Sequence, residues 1–256
     1  IYHYYSVNDF DVIEAEGRLP EGVEIRYQDR LAGGGWSPPR VLDLKGALPG
    51  SLPGETRVAP DSSWVLWHAV GPQNLGYVEG LPGGQGFDLD LYEAELSNGV
   101  PGPARPLPRG INSPYLEGEH WVSDDGLVLY FASNRPGGLG GLDVWQARRD
   151  ATGVWSSPAP LPAPVNSPSD DLQPTLSPGG RWLYLTSDRD GTKGIWRIPT
   201  DGEAYGPRAE LVLTPYVGEP SFSADGRLFF AHAEIDFARS PPHLYDVDIY
   251  FVTPTR

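Results

Sequence analysis

The sequence predicts one all-β domain, a β-propeller of five four-stranded blades, and three observations carry that prediction. The first is an internal repeat. Four segments of the chain, 55–68 (ETRVAPDSSWVLWH), 119–132 (EHWVSDDGLVLYFA), 173–186 (QPTLSPGGRWLYLT) and 219–232 (EPSFSADGRLFFAH), align without gaps. They share a column of Glu55, Glu119, Gln173 and Glu219 and an apolar column of Val58, Val122, Leu176 and Phe222. The second observation is their spacing: they start 64, 54 and 46 residues apart, the length of a propeller blade. The third is punctuation. The 32 Gly and 28 Pro fall between apolar runs, and no stretch keeps a helical period.

Each element of a blade can be placed. Asp-Gly or Gly-Gly at the centre of a segment supplies the positive φ that a two-residue hairpin turn needs, so each segment reads as an antiparallel pair. A third strand follows in DLYEAEL at Asp90, DVWQAR at Asp143, GIWRIP at Gly194 and DIYFVT at Asp248. VEIRYQD at Val23 gives a fifth copy near the N-terminus, with Glu24 in the acidic place. The fourth strand falls in GGWSPPRVL, GVPGPARPL, GVWSSPAPL and EAYGPRAEL, whose prolines confine it to a sheet edge. The blades then run approximately 1–54, 55–116, 117–170, 171–217 and 218–256. Ring closure has two readings: residues 1–5 supply either the outer strand of the last blade or the inner strand of the first.

Composition narrows the function. A formal net charge of −15, with Lys45 and Lys193 the only lysines, repels nucleic-acid phosphates and anionic membranes. No window approaches the ~18 apolar residues of a membrane-spanning helix. Without cysteine there is no disulfide, thiolate metal site or cysteine nucleophile. The start at Ile1 reads as a processed or trimmed product. No phosphate-binding loop, dinucleotide fingerprint or Gly-x-Ser-x-Gly elbow stands in a strand-to-helix context.

The run Ser123-Asp124-Asp125-Gly126, Tyr130-Phe131, Ser133-Asn134-Arg135, Gly137-Gly138 and Asp143-Val144-Trp145 resembles the TolB-type, WD-repeat-like propeller repeat of bacterial envelope proteins. A second copy keeps Ser177-Pro178-Gly179-Gly180, Ser187-Asp188-Arg189 and Ile195-Trp196, with Gly194 in place of the Asp. The copies at Asp61 and Asp225 keep the turn and lose Ser-Asn-Arg. The resemblance implies a periplasmic or secreted, largely non-enzymatic propeller that binds a polar small molecule, glycan or protein.

Loops joining strands two and three share one face with the starts of the inner strands. Two long insertions, 70–87 and 234–245, and a third at 7–22, place Asn74, Tyr77, Glu79, Glu234, Asp236, Phe237, Arg239, His243 and Tyr245 there, together with Asp9, Phe10 and Asp11. Such a wall suits sugars or polar peptides; the alternative is solvated loops anchored by their own aromatics. His68 and His232 hold equivalent places at the end of strand two. With Glu55 or Glu219 they could bind a divalent metal, but no compact His-x-x-x-His spacing supports this, and hydrogen-bonded structural histidines are preferred. No cofactor is expected. Glu55, Glu119 and Glu219 offer a rival reading as the acid, base or nucleophile of a glycoside hydrolase or lyase. The simpler role for that column is to accept backbone N–H groups from the neighbouring blade. Asp90, Asp143 and Asp248 read as turn caps, with Asp88-Leu89-Asp90 and Asp246-Val247-Asp248 only weak echoes of a calcium loop.

Overall fold

The computed structural model describes residues 2–4, 24–29, 31, 34–76, 88–223, 225–236 and 243–253. Their strands form five antiparallel sheets. The first joins β1 (Tyr2–Tyr4), β2 (Glu24–Tyr27) and β3 (Arg40–Leu42). A single turn, α1 (Leu44–Ala47), follows, with the Asp43 carboxylate accepting from the Gly46 N–H at 2.8 Å. The second sheet holds β4 (Leu52–Val58), β5 (Trp64–Val70), β6 (Asp90–Ser97), β7 (Val100–Pro101) and β8 (Arg105–Pro106). The third holds β9 (Glu117–Val122), β10 (Val128–Ser133), β11 (Asp143–Arg148) and β12 (Ala159–Pro160). The fourth runs β13 (Asp171–Leu176), β14 (Trp182–Ser187), β15 (Gly194–Pro199), β16 (Glu210–Leu213), and the fifth β17 (Val217–Phe222), β18 (Leu228–Asp236), β19 (His243–Val252).

The chain divides into two compact units, Ile1–Leu129 with Ala147–Pro158, and Tyr130–Gln146 with Ala159–Arg256. In the first, Ile25 and Leu42 pack with Val65, Trp67, Tyr92 and Ala94 in one buried cluster. In the second, Tyr184 and Ile195 pack with Val217, Leu228 and Phe230. Both are cores between consecutive sheets, as twisted sheets with two apolar faces require. Burying each large side chain stabilises by about 1.5–3 kcal/mol.

Two expectations about local geometry are corrected. All four repeat hairpins have five residues between their strands, not two: 59–63, 123–127, 177–181 and 223–227. The chain closes each with a four-residue turn, Gly126, Gly180 and Gly226 donating to Ser123, Ser177 and Ser223 carbonyls at 2.8–2.9 Å. The glycines have φ of +72°, +69° and +86°, and in the second copy Ser62 has +60°. Positive φ is therefore needed, but at the end of a longer turn. The second correction concerns the N-terminus. Tyr2–Tyr4 pairs with β2, Tyr2 opposite Arg26 and Tyr4 opposite Glu24, which is the strand-two place of the first sheet and neither of the two expected.

The Ser-Asp-Arg element is a staple. Arg189 donates through Nη1 to the Pro164 carbonyl at 2.8 Å, through Nη2 to the Val165 carbonyl at 2.7 Å, and through Nε to Ser187 Oγ at 3.0 Å. It forms an ion pair with the buried Asp171 and lies 5.1 Å from the Trp196 ring centre. One guanidinium thus ties the linker entering the fourth sheet to β13, β14 and β15. Arg135 repeats the stacking, 5.2 Å from the Trp145 ring centre.

Candidate functional site

The acidic column lies on a repeated backbone irregularity. Strand register slips between Pro53 and Thr56, between Leu172 and Thr175, and between Gly218 and Ser221, so the column residue sits in a β-bulge. Gln173 and Glu219 there both have φ of +55°, and Glu119, in the same column, has +47°. Side chains with a Cβ rarely adopt that region, and a bulge re-aims the residue it carries.

Those re-aimed side chains bond to the next inner strand. Glu55 Oε2 accepts the His120 N–H at 2.9 Å, and Gln173 Oε1 accepts the Glu219 N–H at 2.8 Å and the Thr186 hydroxyl at 2.7 Å. A neutral Gln does the work of a carboxylate in one copy, because only an acceptor is required. The Glu219 side chain is reached by solvent at an exposed residue, yet desolvation among the surrounding strands raises its carboxyl pKa, an effect Lys193 eases.

His68 is half-buried, and its Nε2 accepts the Glu55 N–H at 3.2 Å. A Cβ at residue 54 would overlap that Nε2, and one at residue 118 would lie 3.2 Å from Nδ1, so glycines at both positions let the imidazole in. The buried His120 stands beside it, the ring centres 6.1 Å apart. Candidate ligand atoms of Glu55, His68 and His120 lie within 4.8 Å of one another. The side chain brought to Glu55 and His68 is therefore His120, which the repeat alignment passed over because its column is otherwise apolar or small. His232, half-buried in β18, lies opposite Val217 and Asp248 and packs edge-on to Tyr250, the ring centres 5.9 Å apart.

The expected wall is placed in part. Asn74 is 7% exposed, and its amide is committed to the fold: Nδ2 donates to the Ala69 and Asp88 carbonyls at 2.7 Å each, while Oδ1 accepts the Tyr92 hydroxyl at 2.7 Å. Glu234 is exposed on β18, with its Cα opposite Asp246; Asp236 stands opposite His243. The hairpin thus extends into what the sequence reads as a loop, taking the backbone of Tyr245 with it. Tyr77, Glu79, Phe237 and Arg239, with Asp9, Phe10 and Asp11, lie outside the described residues.

Asp90 Oδ2 accepts the Leu75 N–H at 3.0 Å, and Asp143 Oδ2 accepts those of Leu139 and Gly140 at 2.9 and 3.0 Å. Burial nevertheless raises the Asp143 pKa against those hydrogen bonds. The sequence reading overlooked a second repeated run, Asn112-Ser113-Pro114 and Asn166-Ser167-Pro168. Both asparagines bridge a strand-three start: Asn112 bonds the Leu91 N–H and carbonyl, both at 2.9 Å, and Asn166 those of Val144 at 2.8 and 3.0 Å. Each serine binds an acid three positions beyond the proline, Ser113 with Glu117 at 2.6 Å and Ser167 with Asp171 at 2.7 Å. A cavity of about 200 Å³ lies elsewhere, among Ser63, Trp64, Glu93, Glu95, Arg105 and Arg149, below the size usual for ligand pockets.

No protein-family model matches the chain. An uncharacterized protein of Agrobacterium fabrum is 34% identical over 59 residues, 23% of this chain and 20% of that protein. A solved structure assigned as TolB from Agrobacterium tumefaciens superposes with a TM-score of 0.54 at 20% identity, covering 86% of this chain and 67% of its own. TolB from Acinetobacter baumannii gives 0.51 at 16% identity, covering 90% and 49%. A puromycin-hydrolyzing peptidase of Mycobacterium tuberculosis gives 0.50 at 19% identity, over 91% of this chain and 36% of that one. The chain thus spans a fifth of the curated relative and about half of the Acinetobacter TolB. Structures assigned as TolB and a peptidase share the architecture, so likeness at this level speaks for fold and not for activity. The fold of this chain is that of a TolB-type β-propeller.

Proposed function

We propose that this chain is a five-bladed, non-catalytic propeller of the bacterial periplasm or secreted fraction, binding a polar small molecule, a glycan or a protein. The observation that carries the reading is the use made of the acidic column. Glu55 and Gln173 spend their acceptors on backbone N–H groups of the next inner strand, which is a structural task. Binding is assigned to the strand-two-to-three side that bears Glu234, Asp236, Phe237, Arg239, His243 and Tyr245, with Tyr77 and Glu79, because non-repeating loops on a repeating scaffold are where recognition concentrates.

Glu55→Gln keeps the acceptor, and Glu55→Ala removes it. The structural role predicts that the first leaves stability within about 0.5 kcal/mol and the second loses about 1–3 kcal/mol, read by urea denaturation. A glycan array with wild type and a variant shortened between Asp236 and His243 tests the binding side; equal binding by both refutes the location. One observation favours the rival glycoside hydrolase or lyase: desolvation shifts the Glu219 carboxyl pKa upward, the direction a general acid needs. Turnover of a nitrophenyl glycoside panel by wild type, abolished in Glu219→Gln with binding retained, would establish that enzyme instead.

A further inference from the structure

We propose that Asp88, Asp90 and Glu117 form a calcium site between the second sheet and the inner strand β9. It is independent of the ligand-binding reading above. The three carboxylates are 5%, 1% and 0% exposed, and each offers an oxygen within 4.8 Å of those of the other two. Calcium–oxygen distances of about 2.3–2.6 Å give a coordination sphere about 4.6–5.2 Å across, so one ion can touch all three. Magnesium dehydrates reluctantly and is seldom held by an all-protein cage, so three buried carboxylates favour calcium.

A second observation points to a ligand. Asp88 Oδ2 accepts the Gly76 N–H, but Asp88 Oδ1 is buried with no hydrogen-bond partner among the described residues. Burying a carboxylate oxygen without a donor costs several kcal/mol, which a cation removes. The surroundings hold the group in place. Leu75 donates to Asp90 Oδ2 at 3.0 Å, and Ser113 donates to Glu117 through its N–H at 2.7 Å and its hydroxyl at 2.6 Å. A Cβ on Gly76 would lie 2.8 Å from the Pro114 carbonyl oxygen and 3.0 Å from Asp88 Oδ2, so only glycine lets this backbone close over the carboxylates.

The repeat sharpens the assignment. Asp90 and Glu117 have counterparts in Asp143 and Asp171 of the next copy, where Asp88 is replaced by Gly141. The extra acid is missing from the third and fourth copies, which have Gly141 and Thr192 there, and recurs only as Asp246 in the fifth, so the propeller scaffold does not require it.

The test uses the whole chain, stripped with EDTA and titrated with Ca²⁺ by calorimetry and with Tb³⁺ by luminescence. Tyr92, which feels the charges of Asp90 and Asp88 and stacks on Trp67 at 6.1 Å, serves as the sensitiser. The expected result is one high-affinity Ca²⁺ per chain, competing with Tb³⁺ and at least about tenfold tighter than Mg²⁺. Asp88→Asn should weaken Ca²⁺ at least about tenfold, while Asp124→Asn, an exposed acid, leaves it unchanged. Should Asp88→Asn not fold, the wild-type melting temperature decides: a rise with Ca²⁺ that Mg²⁺ at the same concentration does not reproduce supports the site. No saturable Ca²⁺ binding by wild type, equal binding by a folded Asp88→Asn, or equal effects of Mg²⁺ and Ca²⁺ overturns it.

Discussion

Arg189→Ala tests the staple at the head of the fourth sheet. The substitution removes the ion pair to Asp171, whose side chain is 0% exposed, and the donors to the Pro164 and Val165 carbonyls. Asp171 Oδ2 keeps the Ser167 N–H and hydroxyl, at 2.6 and 2.7 Å, but Oδ1 loses the guanidinium it paired with. Removing one partner of a buried pair typically costs about 3–5 kcal/mol, because the remaining charge is stranded. For a chain of this size that is a fall in melting temperature of roughly 6–20 °C. Urea denaturation should show a lower midpoint at unchanged slope. Two comparisons isolate the cause. Arg227→Ala breaks an exposed pair with Asp225 and should leave the midpoint where it was. Adding Asp171→Asn to Arg189→Ala removes the stranded charge, so the double variant should fall less than the sum of the single ones. An Arg189→Ala midpoint no lower than that of Arg227→Ala, or strict additivity in the double variant, would refute the staple.

Three further outcomes follow from packing and charge. Gly140→Ala places a Cβ against the Ser169 and Ser167 carbonyl oxygens, rigid backbone atoms that cannot step aside, and should cost about 1–3 kcal/mol by thermal melting, whereas Gly102→Ala, with ordinary contact at 3.5 Å, should cost under about 0.5 kcal/mol. Tyr92→Phe strips the buried Asn74 Oδ1 of its hydroxyl donor and should cost about 1–3 kcal/mol in urea. Glu219 and Asp143 have pKa values raised by burial, so the folded state holds their protons more tightly than the unfolded chain; their contribution is full below the ordinary carboxylate range and lost as pH climbs through the raised values. Glu219→Gln should therefore flatten the decline of the urea midpoint above the ordinary glutamate pKa; an unchanged pH profile would show that this desolvation is not felt.

Much of the fold was legible because the repeat writes it four times. Val58, Val122, Leu176 and Phe222 close the inner strands, and the third strands fall where DLYEAEL, DVWQAR and GIWRIP predict. The expected role of the acidic column as an acceptor for the neighbouring strand is seen directly at Glu55 and Gln173. The bulge beneath it was not legible, because a Glu at positive φ looks like any other Glu in a strand. His120 was missed for a related reason: it approaches Glu55 across sheets, and alignment compares positions without bringing them together. Asn74 was misjudged because a polar side chain in a long insertion resembles a ligand contact until its three hydrogen bonds are seen.

Comparison among copies separates scaffold from function more sharply than composition does. Arg189 and Asp171 recur together as Arg135 and Glu117, and both members are absent from the second copy, where Gly71 and Pro53 take their places, and from the fifth, where Ile235 and Val217 do. Asp171 is costly to bury without Arg189, which accounts for the two positions being charged together or not at all. The column acceptors, the turn glycines and the bridging asparagines are likewise explained by what the fold needs. What the scaffold does not explain lies in the second and third copies: His120 on an inner strand where the other copies have Thr56, Pro174 and Pro220, and Asp88 where the next copy has Gly141. An extra buried carboxylate where the next two copies have Gly141 and Thr192 departs from the repeat's own pattern, and a bound cation would offset its cost.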